Sequence, residues 1–320
     1  MQDNATYQPV DPKTVEQAAA LLRAGGLCAF PTETVYGLGA DATNGDAVLS
    51  IYETKGRPRF NPLIVHCADL PMARRFAEFS PLALELAAIW PGPLTLVLPR
   101  ILNSGLSDLV TAGLPTVALR IPEHPMALEL IRQADRPLAA PSANPSGRLS
   151  PTSAYQVRLG FGGKVPVLDG GPARAGLEST ILRIEGARVT QLRAGAFPRE
   201  EIELAYRITV EVSEDEGAVL APGMLPSHYA PRAQLRMDAE APRQGEVFLA
   251  FGAAPASDGL VLNLSPDGDL REAARNLFSM LHQLDAAGAQ GIAVAPVPET
   301  GLGEAINDRL RRAAAPRPGN

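Results

Sequence analysis

The chain has 320 residues, 46% hydrophobic and 20% charged, with 29 Lys+Arg against 35 Asp+Glu and a net charge of −6. That length suits two globular domains with real cores, and the negative balance argues against a general binder of nucleic acid or anionic membrane. Two cysteines, Cys28 and Cys67, and four scattered histidines show no metal-ligand spacing. Each cysteine lies in an apolar run, which predicts buried free thiols. No apolar run approaches the roughly 20 residues of a bilayer span, and the N-terminus has no secretory apolar core, so a cytoplasmic protein is expected.

Asp11-Pro12 predicts an N-cap followed by proline at the first helical position. The helix it opens runs through Val15, Ala18, Leu21 and Leu22 to Gly25-Gly26. Leu27 to Phe30 reads as a short buried strand. Asn44 caps a second helix with Val48, Ile51 and Tyr52 inward, ending at Lys55-Gly56. Leu63 to Val65 is a strand, Ser80-Pro81 starts a helix, and Leu94–Leu98 and Thr116–Ile121 are strands. A helix is expected from about Pro125 to Ala134. Pro137 to Ala140 leads into the turn Pro141-Ser142-Ala143-Asn144, and Ser150-Pro151 reads as another cap. Val165–Leu168 is a strand, and Ser179–Ile184 with Val189–Leu192 a hairpin. Alternating strands and helices with some adjacent strand pairs predict a mixed α/β sheet.

From about Arg207 the character changes, with the acidic Glu214-Asp215-Glu216 and then Ala221-Pro222-Gly223-Met224. This reads as a linker. Strands at Val247–Phe251, Val261–Leu264 and Ile292–Ala295, with helices Leu270–Ala287 and Gly303–Ala314, then form a compact β/α unit. The expected division is 1–206, a linker at 207–233, and a small α/β domain at 234–320. Residues up to 206 carry about −1 and the remainder −5, so polyanions are expected in the first part.

Two stretches there concentrate chemistry. Pro31-Thr32-Glu33-Thr34-Val35-Tyr36-Gly37-Leu38-Gly39 is a hydroxyl-rich, glycine-containing turn after a strand. Lys55-Gly56-Arg57-Pro58-Arg59 leads into a strand ending near His66. Hydroxyls, backbone N–H groups and fixed cations are what a phosphate-bearing ligand needs. Only three lysines occur, Lys13, Lys55 and Lys164, in an arginine-rich chain. A lysine kept under that bias suggests a need for a compact ammonium. The cations also suit a plain helix end near the negative dipole, and His66 suits a satisfied core position. Gly37-Leu38-Gly39-Ala40 fits the degenerate dinucleotide pattern, but its glycines stand too far from strand and helix. Arg120 ends an apolar strand and wants a carboxylate or phosphate partner. No nucleophile–base pair has local support.

Taken together, the motifs resemble the YrdC-like family of threonylcarbamoyl-AMP synthases in its longer, two-domain form. They are PTETVYGLG at 31–39, KGRP at 55–58, NPLIVH at 61–66, WPGPLT at 90–95, TVALR at 116–120, APSAN at 140–144, SPT at 150–152, LDGG at 168–171, ESTI at 178–181 and RAG at 193–195. Ser227-His228-Tyr229-Ala230-Pro231 matches the linker of the longer form, although Leu225-Pro226-Ser227 stands where that linker usually carries aromatic and basic residues. The resemblance implies a mixed twisted sheet around a cationic cavity, with a small Rossmann-like second domain. It implies that L-threonine, bicarbonate and ATP give threonylcarbamoyl-adenylate and pyrophosphate, for transfer to tRNA by other proteins. Lys55 and Arg57 would be catalytic. Thr32, His66, Arg120, the Ala140 backbone and Ser179 would hold threonine. Lys55, Arg59, Thr116, Ser142, Asn144, Ser150, Arg193, His228 and Tyr229 would bind ATP. Mg²⁺ would arrive with ATP, with no protein side chain as its ligand. Two other classes remain, a double-stranded RNA-binding module and a carbamoyltransferase-type domain. The charge balance argues against the first and against direct tRNA binding, and the cysteine count against the second.

Overall fold

The computed structural model describes residues 10–213, 221–222, 228–255 and 259–316. The acidic patch at 214–216 and the linker residues at 223–227 lie outside them. The first of two sheets contains nine strands: β1 (Cys28–Phe30), β2 (Gly37–Asp41), β3 (Ile64–His66), β4 (Leu94–Pro99), β5 (Thr116–Arg120), β6 (Leu138–Ala139), β7 (Thr180–Glu185), β8 (Arg188–Arg193) and β9 (Val210–Val212). Their order is β1-β2-β6-β3-β5-β4-β7-β8-β9. β3/β5, β4/β7 and β8/β9 are parallel and the other pairs antiparallel, so the sheet is mixed, as expected. β3, β4 and β5 are mostly apolar and buried along nearly their whole length because both faces of the sheet are covered.

Local chemistry explains the elements that position the site. The Asn44 side chain accepts from the Asp46 and Ala47 amides and starts the helix Gly45–Lys55. Gly56, at φ +61°, ends it in the left-handed conformation that glycine adopts cheaply. Lys55 is therefore in the last turn, and the chain reverses at once into Arg57.

Three expectations are corrected. The first helix, Val15–Arg23, is capped by Thr14, while the Asp11 carboxylate accepts from Arg158 Nε and the Val167 amide, each at 2.8 Å. Ser153, not Ser150, caps the helix Ala154–Phe161, because Ser150 turns inward to a carboxylate. Val165–Leu168 forms no strand, only an isolated bridge between Ala29 and Val167. In addition, β2, β9 and the helix Arg199–Tyr206 arise where no element was expected. β2 is Gly-Leu-Gly-Ala-Asp, which reads as a turn. It is a strand because Gly37 and Gly39 let it lie against Phe30, where a Cβ on Gly39 would stand 2.7 Å from the ring.

The second sheet is wholly parallel, in the order β10 (Gln234–Arg236), β13 (Gly291–Val294), β11 (Glu246–Ala250), β12 (Val261–Asn263). β10 was not expected. The helices Leu270–Ala286 and Leu302–Ala314 complete this unit. Val35, Leu149 and Leu177 of the first unit pack into its hydrophobic cluster. Gly176 lies so close to the helix Leu270–Ala286 that a Cβ would stand 2.5 Å from the Ala274 carbonyl oxygen, so this contact requires glycine. Cys28 and Cys67 are buried free thiols, and burial raises the pKa of both. Among the described residues, no helix is long and apolar enough to cross a membrane.

Candidate active site

A cavity opens at the ends of β3 and β5 and beside β7, with about 510 Å³ of empty space, mouth included. Parallel pairing sets His66 against Arg120, so both side chains reach the same end of the sheet. Thr32, Thr34 and Val35 form one wall, Ala140 and Ser142 another, and Ser179 with Arg193 a third. Arg57 enters from the turn after Gly56, and Pro222, His228 and Tyr229 cover the cavity from outside the first unit. The RAG glycine has a steric duty here. A Cβ on Gly195 would stand 2.3 Å from the Thr180 amide nitrogen, so only glycine lets β8 close against Ser179 and aim Arg193 inward.

The buried cations fall into two sets. Lys55 Nζ donates to the carbonyls of Ser142, at 2.6 Å, and Asn144. Arg57 donates to the Asn61 carbonyl at 3.1 Å, Asn61 Oδ1 at 2.6 Å and the Pro62 carbonyl at 2.8 Å. Arg193 holds the Ser179 carbonyl at 2.9 Å and the Pro222 carbonyl at 3.1 Å. Their partners are neutral oxygens, and among the described residues no carboxylate lies within ion-pair distance of these three. Burial, and then Arg57, pushes the Lys55 ammonium well below its ordinary pKa. Burial lowers Arg57 to about 10. Burial, not a neighbouring carboxylate, sets the direction of both shifts.

The second set is compensated. Arg120 Nη2 stands 2.6 Å from Glu33 Oε1, and its Nε donates to the Gly92 carbonyl at 3.3 Å. Arg309, fully buried and contributed by the second unit, stands 2.9 Å from Glu178 Oε2. Ser150 Oγ donates to Glu178 Oε1 at 2.5 Å. Burial would raise Glu178, but Arg309, Arg193 and Ser150 outweigh it and hold the carboxyl below its usual range. The Arg309 guanidinium also lies 5.2 Å from the Tyr229 ring centroid, so the second unit braces a residue that covers the cavity.

Two histidines are neutral for electrostatic reasons. Burial, with Arg120 beside it, pushes His66 down to about 3, and its Nδ1 has no partner among the described residues. Burial, with four cations around it, holds His228 well below its ordinary value.

Of the residues singled out in the sequence, Thr32, Arg57, His66, Arg120, Ala140, Ser142, Ser179, Arg193, His228 and Tyr229 line the cavity. Lys55 stands one layer behind, on the Ser142 carbonyl. Asn144 is buried and spends its amide on the Pro145 and Arg148 carbonyls, and Ser150 is buried behind Glu178. Arg59 is exposed. Thr116 lies four residues along β5 from Arg120, roughly 13 Å away at ~3.3 Å per residue, and does not line the cavity. Glu33, Thr34, Glu178 and Arg309 were not singled out. Glu33 and Glu178 lie inside recognised motifs, whereas Arg309 sits in an amphipathic helix 131 residues from its partner and gives no local signal.

Glu178, which lines the cavity, is engaged with Arg309, and Glu33, which stands outside it, with Arg120.

A family model described as "Telomere recombination" (Sua5_yciO_yrdC) matches residues 20–195. A second, described as "Threonylcarbamoyl-AMP synthase, C-terminal domain", matches residues 197–315. The threonylcarbamoyl-AMP synthase of Pyrococcus abyssi is 42% identical over 321 residues, covering 94% of each chain. That of Bacillus subtilis is 40% identical over 328 residues, covering 96% of this chain and 94% of its own. The crystal structure of P. abyssi Sua5 complexed with L-threonine superposes with a TM-score of 0.86 at 40% identity, covering 94% of each chain.

Proposed function

The chain belongs to the threonylcarbamoyl-AMP synthase family in its two-domain form, and from that premise we propose how its cavity performs the synthase reaction. The enzyme is a nucleotidyltransferase that joins L-threonine, carboxylated on its amine, to the adenylate of ATP. The observation that carries this reading is the set of three buried cations with only neutral hydrogen-bond partners, Arg57 and Arg193 lining the cavity and Lys55 one layer behind, beside a compensated arginine on the same cavity. A triphosphate suits the first end and an amino acid the second.

In the first step threonine, as its ammonium form, and bicarbonate give the carbamate, water and one proton. A carbamate oxygen then forms a bond to the α-phosphorus, and the bond from that phosphorus to the bridging oxygen breaks. Pyrophosphate leaves with the electron pair. Lys55, Arg57 and Arg193 oppose the charge that builds on the departing phosphates. Arg120 takes the threonine carboxylate, with Thr32, His66, the Ala140 backbone and Ser179 around the amino acid. Neutral His66 donates or accepts a hydrogen bond without repelling the ammonium. Ser142 and Tyr229 line the nucleotide side, with Asn144 and Ser150 supporting it from behind. The carbamate hydrolyses readily in water, so the His228–Tyr229 cover protects it. Mg²⁺ enters as part of the substrate MgATP, and the protein's own contribution is positioning and charge. The product then serves proteins that transfer threonylcarbamoyl to tRNA.

Pyrophosphate release from ATP is the test, with each component left out in turn. Release that needs both threonine and bicarbonate is expected. Release without threonine, or with any amino acid equally, would contradict the proposal.

A further inference from the structure

All the cations at this cavity would attract a triphosphate, yet one of them has to remain available for an amino acid. Arg193 and Arg120 line the same cavity. Polyphosphate at one end therefore lies within reach of the other, and nothing about an arginine alone tells a carboxylate from a phosphate.

The two ends differ in one respect. Glu33 is 3% exposed and its carboxylate lies 2.6 Å from Arg120 Nη2. The loop that carries it is pinned on both sides. Thr32 Oγ1 donates to the Val35 carbonyl at 2.6 Å, and the Glu33 carbonyl accepts from the Ala175 amide at 2.7 Å. Thr32 and Thr34 face the cavity, while Glu33 stands behind Arg120 and lines a separate cleft against the second unit. Among the described residues the Glu33 oxygens accept no well-aligned hydrogen bond, so the carboxylate's strong attraction is the close charge of Arg120. Gly92 and Glu33 hold the Nε and Nη2 side of the guanidinium, and among the described residues no hydrogen bond is made by Nη1.

We propose that Glu33 is the specificity-determining residue that reserves Arg120 for the amino acid, by neutralising it against phosphate. This rests on the synthase reading above. With Glu33 in place the Arg120 end has no net charge. A polyphosphate gains little by entering, because the Glu33 charge behind Arg120 offsets the guanidinium's attraction. A zwitterion brings its own ammonium, which offsets Glu33, so its carboxylate reaches Arg120 without a net charge mismatch. The Lys55, Arg57 and Arg193 end has no carboxylate paired with it and collects the phosphates. Glu33 thus acts through Arg120 and takes no part in bond making.

The test is a calorimetric titration of pyrophosphate into the full chain, with and without saturating L-threonine. In the unaltered chain the two ligands are expected to bind independently. In Glu33→Gln, pyrophosphate is expected to invade the Arg120 end, so threonine weakens its binding by at least about tenfold. Glu33→Asp keeps the charge but withdraws it by one methylene, and competition in the same direction but smaller is expected. If Glu33→Gln does not fold, as read by thermal unfolding, Glu33→Asp decides the matter. Independent binding in the folded variant would overturn the proposal, as would equal competition in the unaltered chain. A purely structural role would lower stability without creating competition. Failure of threonine to bind the unaltered chain at all would overturn the synthase reading and this proposal with it, a result distinct from independence in the variant.

Discussion

The two sets of buried cations in this cavity are made of the same residue types and behave oppositely. Lys55, Arg57 and Arg193 are held by carbonyl and amide oxygens, whereas Arg120 and Arg309 each face a carboxylate. A buried charge without a counter-ion costs several kcal/mol. The first set is thus tolerated because hydrogen bonds hold it, and it becomes satisfied only when an anion binds. The second set is satisfied at once: Arg309 braces the architecture, while Arg120, paired with Glu33, still lines the cavity. Position relative to carboxylates, rather than residue type, separates the cations left for phosphate from those already paired.

The largest effect should come from the uncompensated set. Lys55→Ala or Arg193→Ala should lower threonine-dependent pyrophosphate release by about 10²-fold or more, with unfolding temperature little changed, as followed by the release assay and thermal melts. Loss of activity through unfolding instead would erase the distinction. Arg309→Met should do the reverse in kind. Leaving Glu178 buried and unpaired should cost about 3–5 kcal/mol in denaturant unfolding, and adding Glu178→Gln should recover much of it. If the single change left stability untouched, Arg309 would not belong to the structural set.

How much of this the sequence carries follows from the range of each interaction. Asn44 as a cap, Lys55 in the last turn of its helix, and Arg120 at the end of an apolar strand are local facts, legible from spacing. β2 was illegible because Gly-Leu-Gly is turn-like unless one knows that Phe30 lies against it. Asp11 and Ser150 looked like caps because their neighbours are prolines, but each spends its oxygen on a distant partner, Arg158 or Glu178. The pairing of Glu178 with Arg309 joins two domains and has no local trace. The motifs therefore pointed to the cavity, while the division of its cations into two sets appears only in three dimensions.

His66 gives a smaller, pH-dependent effect. Its pKa is depressed from an ordinary 6.5 to about 3. Between those values the unfolded chain binds a proton that the folded chain refuses, so stability is complete above about 6.5 and falls as pH drops towards 3. His66→Asn should flatten that acid-side loss, measured as the denaturant midpoint from pH 7 to pH 5. An unchanged slope would mean His66 is not buried and neutral beside Arg120. The smallest effect belongs to the surface. Arg271 and Glu201 bridge the two units at 2.9 Å but are largely exposed, and Arg271→Ala should shift stability by only about 0–1 kcal/mol, with pyrophosphate release unaltered.

The separation of the two cation sets is tested most directly by titrating ATP and L-threonine separately into Arg193→Gln and Arg120→Gln. ATP affinity should collapse in Arg193→Gln and persist in Arg120→Gln, with threonine affinity showing the opposite pattern. Equal loss of ATP binding in both variants would contradict the division of the cavity into a phosphate end and an amino-acid end.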